Sequence, residues 1–156
     1  MTDGLLIRPA HEGDCEFLAG LVPSLLEFGS PTWDDARAFA PGFRDVLAGA
    51  VRAQGPQSIV LVAEGTDGTR LGFISLREGK DAVGAARGHV ADLAVTPDAR
   101  RMGVGTALME AAEAWARDRG LPALSLDVWS TNERALAFYR RLGYRAESLC
   151  LIKSVT

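Results

Sequence analysis

Arg100 to Leu108, RRMGVGTAL, sets two arginines and two glycines at the mouth of what the next residues predict to be a helix. Val104, Leu108, Ala111 and Trp115 recur at helical spacing, while Glu110, Glu113 and Arg117 fall on the other side. The first N–H groups of a helix have no internal acceptor and carry the positive end of its dipole, so an anion is stabilised there. Gly103 and Gly105 lack a Cβ, which frees the dihedrals and lets an oxygen come close to the backbone. Arg100 and Arg101 add charged, planar donors that match phosphate oxygens. Alone, R-x-x-G-x-G is a weak pattern, which a glycine-rich helix entry with solvated arginines explains more readily than a phosphate loop does.

Around this helix the sequence alternates strand and helix. LLIRP, stopped by Pro9, predicts a short first strand, and Asp14 predicts the cap of a helix running to about Phe28. GSPTWDDARAFAPGF, with two prolines, two glycines and Trp33, Phe39 and Phe43, reads as a loop leading into a second helix that ends near Gln54. Ser58 to Glu64 and Arg70 to Arg77 predict a hairpin turned by the Asp67-Gly68 pair. EGKDAVGAARG, 78–88, reads as a polar loop. There follow a strand over His89–Val95, the helix from Gly103 to Gly120, a strand over Ala123–Val128, a helix over Ser130–Gly143, and an extended close over Tyr144–Ser154. The order β-α-α-β-β-β-α-β-α-β predicts one α/β domain over 1–156, a sheet flanked by helices.

Composition narrows the chemistry. A chain of 156 residues, 47% apolar and 24% charged, is the size and make-up of one globular domain. Its net charge of −3 offers no basic footprint for a nucleic acid and is compatible with a cationic substrate such as an amine. Cys15 and Cys150 stand at opposite ends, without the cysteine or histidine spacing of a zinc site, and read as small buried hydrophobes; no metal is expected. The start has no signal-peptide pattern, and the longest apolar run, Ile59–Ala63, is far too short to span a bilayer, so a cytoplasmic protein without membrane contacts is expected.

The G-x-G within GVGTAL, with Asp127 closing a later strand, invites comparison with a dinucleotide site. Two features count against it. Leu108 replaces the third small residue, and TPDARRM separates the preceding strand from Gly103, where the dinucleotide turn follows its strand directly.

LAVTPDARRMGVGTALM together with NERALAFYRRLGY resembles the GNAT superfamily of acyl-CoA-dependent N-acetyltransferases, most strongly from His89 to Tyr144. The resemblance implies a mixed, mostly antiparallel sheet flanked by helices, with a splayed strand pair at the cofactor groove. It implies acetyl-CoA as acyl donor, its pyrophosphate held by Arg100, Arg101, Met102, Gly103, Val104, Gly105 and Thr106. Leu93, Ala94 and Val95 resemble the strand that pairs with the pantetheine arm, and an amide at Leu93 or its neighbour would face the developing oxyanion. Asn132, Ala135, Phe138 and Tyr139 resemble the second half of the site. Asn132 and Tyr139 share a helix face two turns apart, and Ser130 with Glu133 has the pattern of a capping box. The resemblance makes Asn132 the partner of the pantetheine amides and Tyr139 the acid that protonates the departing thiolate.

An ammonium acceptor must lose a proton before it attacks. His89 matches the position of a glutamate base in the histone-acetylating branch and titrates in the useful range. Asp92, Asp127, Glu27 and a water relay are further candidates. Direct attack of an amine in a ternary complex is expected. Neither cysteine lies in a cofactor motif, which argues against a covalent cysteine intermediate. A CoA-binding domain without an acceptor site is the alternative, and a homodimer is left open.

Overall fold

The computed structural model describes residues 4–27 and 36–155. Five strands form a single sheet in the order β1 (Leu6–Pro9), β2 (Ser58–Glu64), β3 (Arg70–Lys80), β4 (Ala86–Val95) and β5 (Leu124–Leu126). Every neighbouring pair is antiparallel except β4 and β5. The expected mixed, mostly antiparallel sheet is therefore present.

Helices cover both faces because strand side chains alternate between them. On one face α4 (Val104–Asp118) packs Val104, Leu108, Met109, Ala112 and Trp115 on Leu61, Ala63, Ile74, Leu76 and Val90. On the other face α1 (Cys15–Gly20), α2 (Val22–Leu26) and α3 (Ala36–Arg52) set Leu18, Val22, Leu47 and Val51 against Val60, Val62, Phe73 and Ala94. Each large apolar side chain buried this way stabilises the fold by about 1.5–3 kcal/mol. The last helix, α5 (Glu133–Arg141), lies over the α4 face with Phe138, Tyr139 and Leu142 half-buried.

Several expectations are corrected. The first helix is broken into α1 and α2 at Leu21, with Pro23 in the first turn of α2, and its expected end at Phe28 lies outside the described residues. Asp14 does not cap α1. It accepts from the His11 N–H at 2.9 Å within a short 3-10 turn capped by the His11 side chain. Asp14 is fully buried, held by Arg8 at 2.8 and 2.9 Å and by Arg70 at 2.6 Å. α3 begins at Ala36 and carries Pro41 inside it, so the proline that signalled a loop is absorbed by an alanine-rich helix. Trp33, expected in that loop, lies outside the described residues.

The polar loop 78–88 shrinks to 81–85, because β3 and β4 pair as far as Lys80 with Ala86. The Asp81 carboxylate closes that turn by accepting from the N–H groups of Val83 and Ala85. β5 is only three residues long, half the expected strand. Tyr144–Ser154 joins no strand, and Cys150, expected to be buried, is exposed. Cys15 is half-buried.

Candidate active site

The entry to α4 is a tight turn with two left-handed residues. Arg101 has φ 68° and Gly103 φ 79°; glycine adopts this freely, whereas an L residue pays about 1–2 kcal/mol. Among the described residues Arg101 is the one non-glycine in that region. No side chain caps the helix, and its ladder opens with the Ala107 N–H donating to Gly103 at 3.0 Å. The amides of Val104, Gly105 and Thr106 therefore have no intrahelical acceptor. Arg100 is half-buried, Arg101 and Met102 are exposed, and neither arginine forms an ion pair among the described residues.

β4 supplies the adjoining wall. It pairs with β3 throughout, but Val90 faces Leu76 and Asp92 faces Ser75, so Ala91 is one extra residue that bends the strand. Pairing with β5 covers Gly88–Val90 against Leu124–Leu126 and then stops. The expected splay is there: Leu93, Ala94 and Val95 run on with no β5 partner. Ala94 is buried, while Leu93 and Val95 pack toward α4.

α5 closes the groove. A Cβ on Gly105 would lie 3.3 Å from the Phe138 ring and 3.9 Å from Val95, so this glycine is needed to seat α5, beside any ligand it serves. Val95, Gly105 and Phe138 thus meet at one point, joining the three predicted parts of the cofactor site. The expected capping box at Ser130 is corrected: Asn132 is the N-cap, its side-chain oxygen accepting from the Ala135 N–H at 3.1 Å. That leaves the Asn132 amide NH2 for other acceptors. Tyr139 stacks edge-on against Phe138 and Tyr144, and burial pushes its phenol up to about 12, so it is protonated at neutral pH.

A row of polar side chains crosses the other face of the sheet. Gly88 and Val90 point toward α4, so His89 between them faces away, in register with Arg77 on β3 and Ser125 on β5. His89 Nδ1 lies 2.9 Å from Ser125 Oγ, and Nε2 lies 3.6 Å from an oxygen of the exposed Asp127 carboxylate. Burial, reinforced by Arg77 and Arg87 and opposed by Asp127, holds the imidazole below its usual range. Beyond the bulge, burial pushes the Asp92 carboxyl up to about 6 against the pull of Arg77. Glu27 is exposed at the end of α2.

His89 and Tyr139 are therefore not in contact but flank the splay from opposite faces. Sequence reasoning missed Ser125 and Arg77. Only the β3–β4–β5 register reveals them, and the parallel pairing of β4 with β5 leaves no mark on local sequence.

Comparison with known proteins agrees with this geometry. Residues 22–144 match the model of the acetyltransferase (GNAT) family. An aminoglycoside N(6')-acetyltransferase type 1 of Klebsiella aerogenes is 41% identical over 149 residues, covering 92% of this chain and 91% of its own. A streptothricin acetyltransferase of Streptomyces lavendulae is 31% identical, covering 88% and 79%. The F44R mutant of the BH1408 protein from Bacillus halodurans superposes with a TM-score of 0.79 at 24% identity, covering 97% of this chain and 99% of that one.

Proposed function

Because the chain belongs to the acetyltransferase (GNAT) family, we propose that it moves the acetyl group of acetyl-CoA onto an amine by direct attack, both substrates being bound together. The observation that carries this reading is the uncapped entry of α4, with its free amides and two arginines that form no ion pair among the described residues, set beside the stretch of β4 that has no β5 partner. The residues fit the group: amides 104–106 and Arg100 suit a pyrophosphate, and the open edge of Leu93–Val95 suits an extended amide-bearing arm. Acetyl-CoA, when bound, supplies a thioester carbonyl open to an amine.

This chain's own groups do the rest. Arg100, Arg101 and the amides of Val104, Gly105 and Thr106 hold the diphosphate, and the Asn132 NH2 donates to the pantetheine arm while its oxygen caps α5. An amide of the Leu93 stretch faces the oxygen that gains charge. His89, held neutral by burial, accepts the acceptor's proton, with Ser125 fixing the ring through Nδ1. Tyr139, kept protonated by burial, gives its proton to the leaving sulfur. Acid and base thus work from opposite faces, and neither cysteine takes part.

For the acceptor, the exposed Asp127 carboxylate facing His89 suits a cationic amine. The 41% identical relative acts on aminoglycosides, which makes that class the first to try. Thermal unfolding with acetyl-CoA, CoA and NAD in parallel tests the cofactor reading. A ligand at 100 times its Kd adds about 2.7 kcal/mol, a rise of about 5–10 °C for a domain of this size. The reading predicts that rise with acetyl-CoA and CoA and none with NAD. A rise with NAD alone, or with none of them, would remove it.

A further inference from the structure

β5 is short, and its middle residue is its polar one. Leu124 and Leu126 pack toward α4, so the alternation of a strand turns Ser125 to the opposite face, where His89 lies in register with it. Asp127, just beyond the end of the strand, returns to the same ring. The two ring nitrogens of His89 therefore meet two different groups of one segment. Nδ1 is 2.9 Å from Ser125 Oγ, and Nε2 is 3.6 Å from the Asp127 carboxylate.

A neutral imidazole carries one N–H, and the two groups compete for its place. The carboxylate draws the proton to Nε2. Ser125 draws it to Nδ1 when its hydroxyl oxygen is the acceptor, and the backbone of β4 makes it one. The Ser125 O–H has the Gly88 carbonyl as its acceptor at 3.3 Å, which leaves its lone pairs to the ring. Distance decides between the competitors. At 2.9 Å the contact with Ser125 is a hydrogen bond, whereas 3.6 Å to a carboxylate that is 98% exposed is not one. His11, the other histidine of the chain, is set the opposite way: its Nδ1 accepts from the Gly13 N–H at 3.1 Å, so its neutral ring keeps the proton on Nε2.

We infer that Ser125 is a positioning residue: it holds neutral His89 with its proton on Nδ1, so that Nε2, on the side of Asp127, is the nitrogen free to accept a proton. The charged groups that act on this ring are Arg77 on β3, Arg87 on β4 and Asp127. Of these Asp127 alone favours the imidazolium, and its place beside Nε2 sets the counter-charge where the proton arrives. That Nε2 serves as the base rests on the acetyl-transfer reading; the tautomer does not, and the two are measured apart.

Nitrogen NMR of the histidine side chains in the full chain tests the tautomer, because protonated and unprotonated ring nitrogens resonate far apart. Above the titration range, with His11→Asn to assign the two rings, His89 is expected to show Nδ1–H and His11 Nε2–H. In Ser125→Ala the Asp127 carboxylate is left to decide, and the His89 proton is expected on Nε2. Ser125→Thr, which keeps the hydroxyl, is expected to restore Nδ1–H. A wild-type His89 with its proton on Nε2, or one whose tautomer is unmoved in Ser125→Ala, would overturn the inference. A base in the wrong tautomer offers no lone pair, so kcat is expected to fall about 10-fold or more in Ser125→Ala at unchanged KM for acetyl-CoA, and to recover in Ser125→Thr. Equal kcat in Ser125→Ala and wild type would remove Ser125 from the reaction. A wild type that transfers no acetyl group would instead remove the acetyl-transfer reading, and the spectra would still decide the tautomer.

Discussion

In the proposed reaction Tyr139 and His89 have opposite protonic roles, and each role would follow from burial. Burial raises the phenol and lowers the imidazole, so at neutral pH one still holds its proton and the other has lost it. Replacing Tyr139 with Phe is expected to lower kcat about 100-fold or more while the KM for acetyl-CoA hardly moves; unchanged turnover would remove it as the acid. For His89 the sign is fixed by its lowered pKa. The active, neutral form is lost as pH falls, so kcat/KM rises with pH on the acidic limb and is flat above it. Asp92, raised to about 6, ionises over a neighbouring range, and two variants separate the groups. The acidic limb is expected to vanish in His89→Gln and to survive in Asp92→Asn, and the reverse pattern would transfer the base to Asp92. His89 was legible as a candidate because its position matches a family base. Its partner Ser125 was not, because a contact across parallel strands depends on register.

At the scale of elements, the site depends on how α5 is seated. Asn132 is both the cap of that helix and a proposed cofactor contact, and substitution can divide the two. Asn132→Ala is expected to cost about 1 kcal/mol of stability through the lost cap and to raise the KM for acetyl-CoA. Asn132→Asp retains the capping oxygen but not the NH2 donor, so melting temperature should recover while KM does not. Equal KM in Asp and wild type would limit Asn132 to capping. Gly105→Val drives a side chain into Phe138, 3.3 Å from the first added carbon, and is expected to cost about 1–3 kcal/mol by overpacking, read as a lower melting temperature. α4 was readable from its spacing and its glycine entry. α5 was readable as a helix but not at its cap, since Ser130 and Asn132 are both favoured capping residues and only the backbone decides between them. β3 and β4 outran their sequence signal because pairing to each other supports residues, such as Glu78 and Gly79, whose own β preference is weak.

Across the whole molecule, the buried carboxylate of Asp14 ties β1, the first turn and β3 together through Arg8 and Arg70. Arg8, first among its partners, holds that carboxyl well below the usual range. A depressed folded-state pKa contributes stability that is present above the unfolded value, about 3.9, and is lost as pH falls below it. Asp14→Asn removes the buried carboxylate that Arg8 and Arg70 share, leaving Arg8 only its Glu64 partner, and is expected to cost about 3 kcal/mol at pH 7, about 10 °C in melting temperature. The gap to wild type should narrow below about pH 4; a gap independent of pH would mean packing, not charge, holds the joint. Asp14 was read as a helix cap because aspartate before an apolar run is a common capping signal. Its role as a tie rests on Arg70, distant in sequence, which no local pattern reports.

In the proposed function this groove joins an acetyl-CoA site to an amine site. The rate of thiol release from acetyl-CoA, with and without an aminoglycoside and followed by the mass of the product, tests it most directly. The expected result is release that depends on the aminoglycoside and saturates with it, with a product heavier by one acetyl group and loss of the rate in Tyr139→Phe. Release unaffected by aminoglycosides and by a panel of other amines, in a protein that still binds CoA, would contradict it and leave a cofactor-binding domain without a transfer reaction.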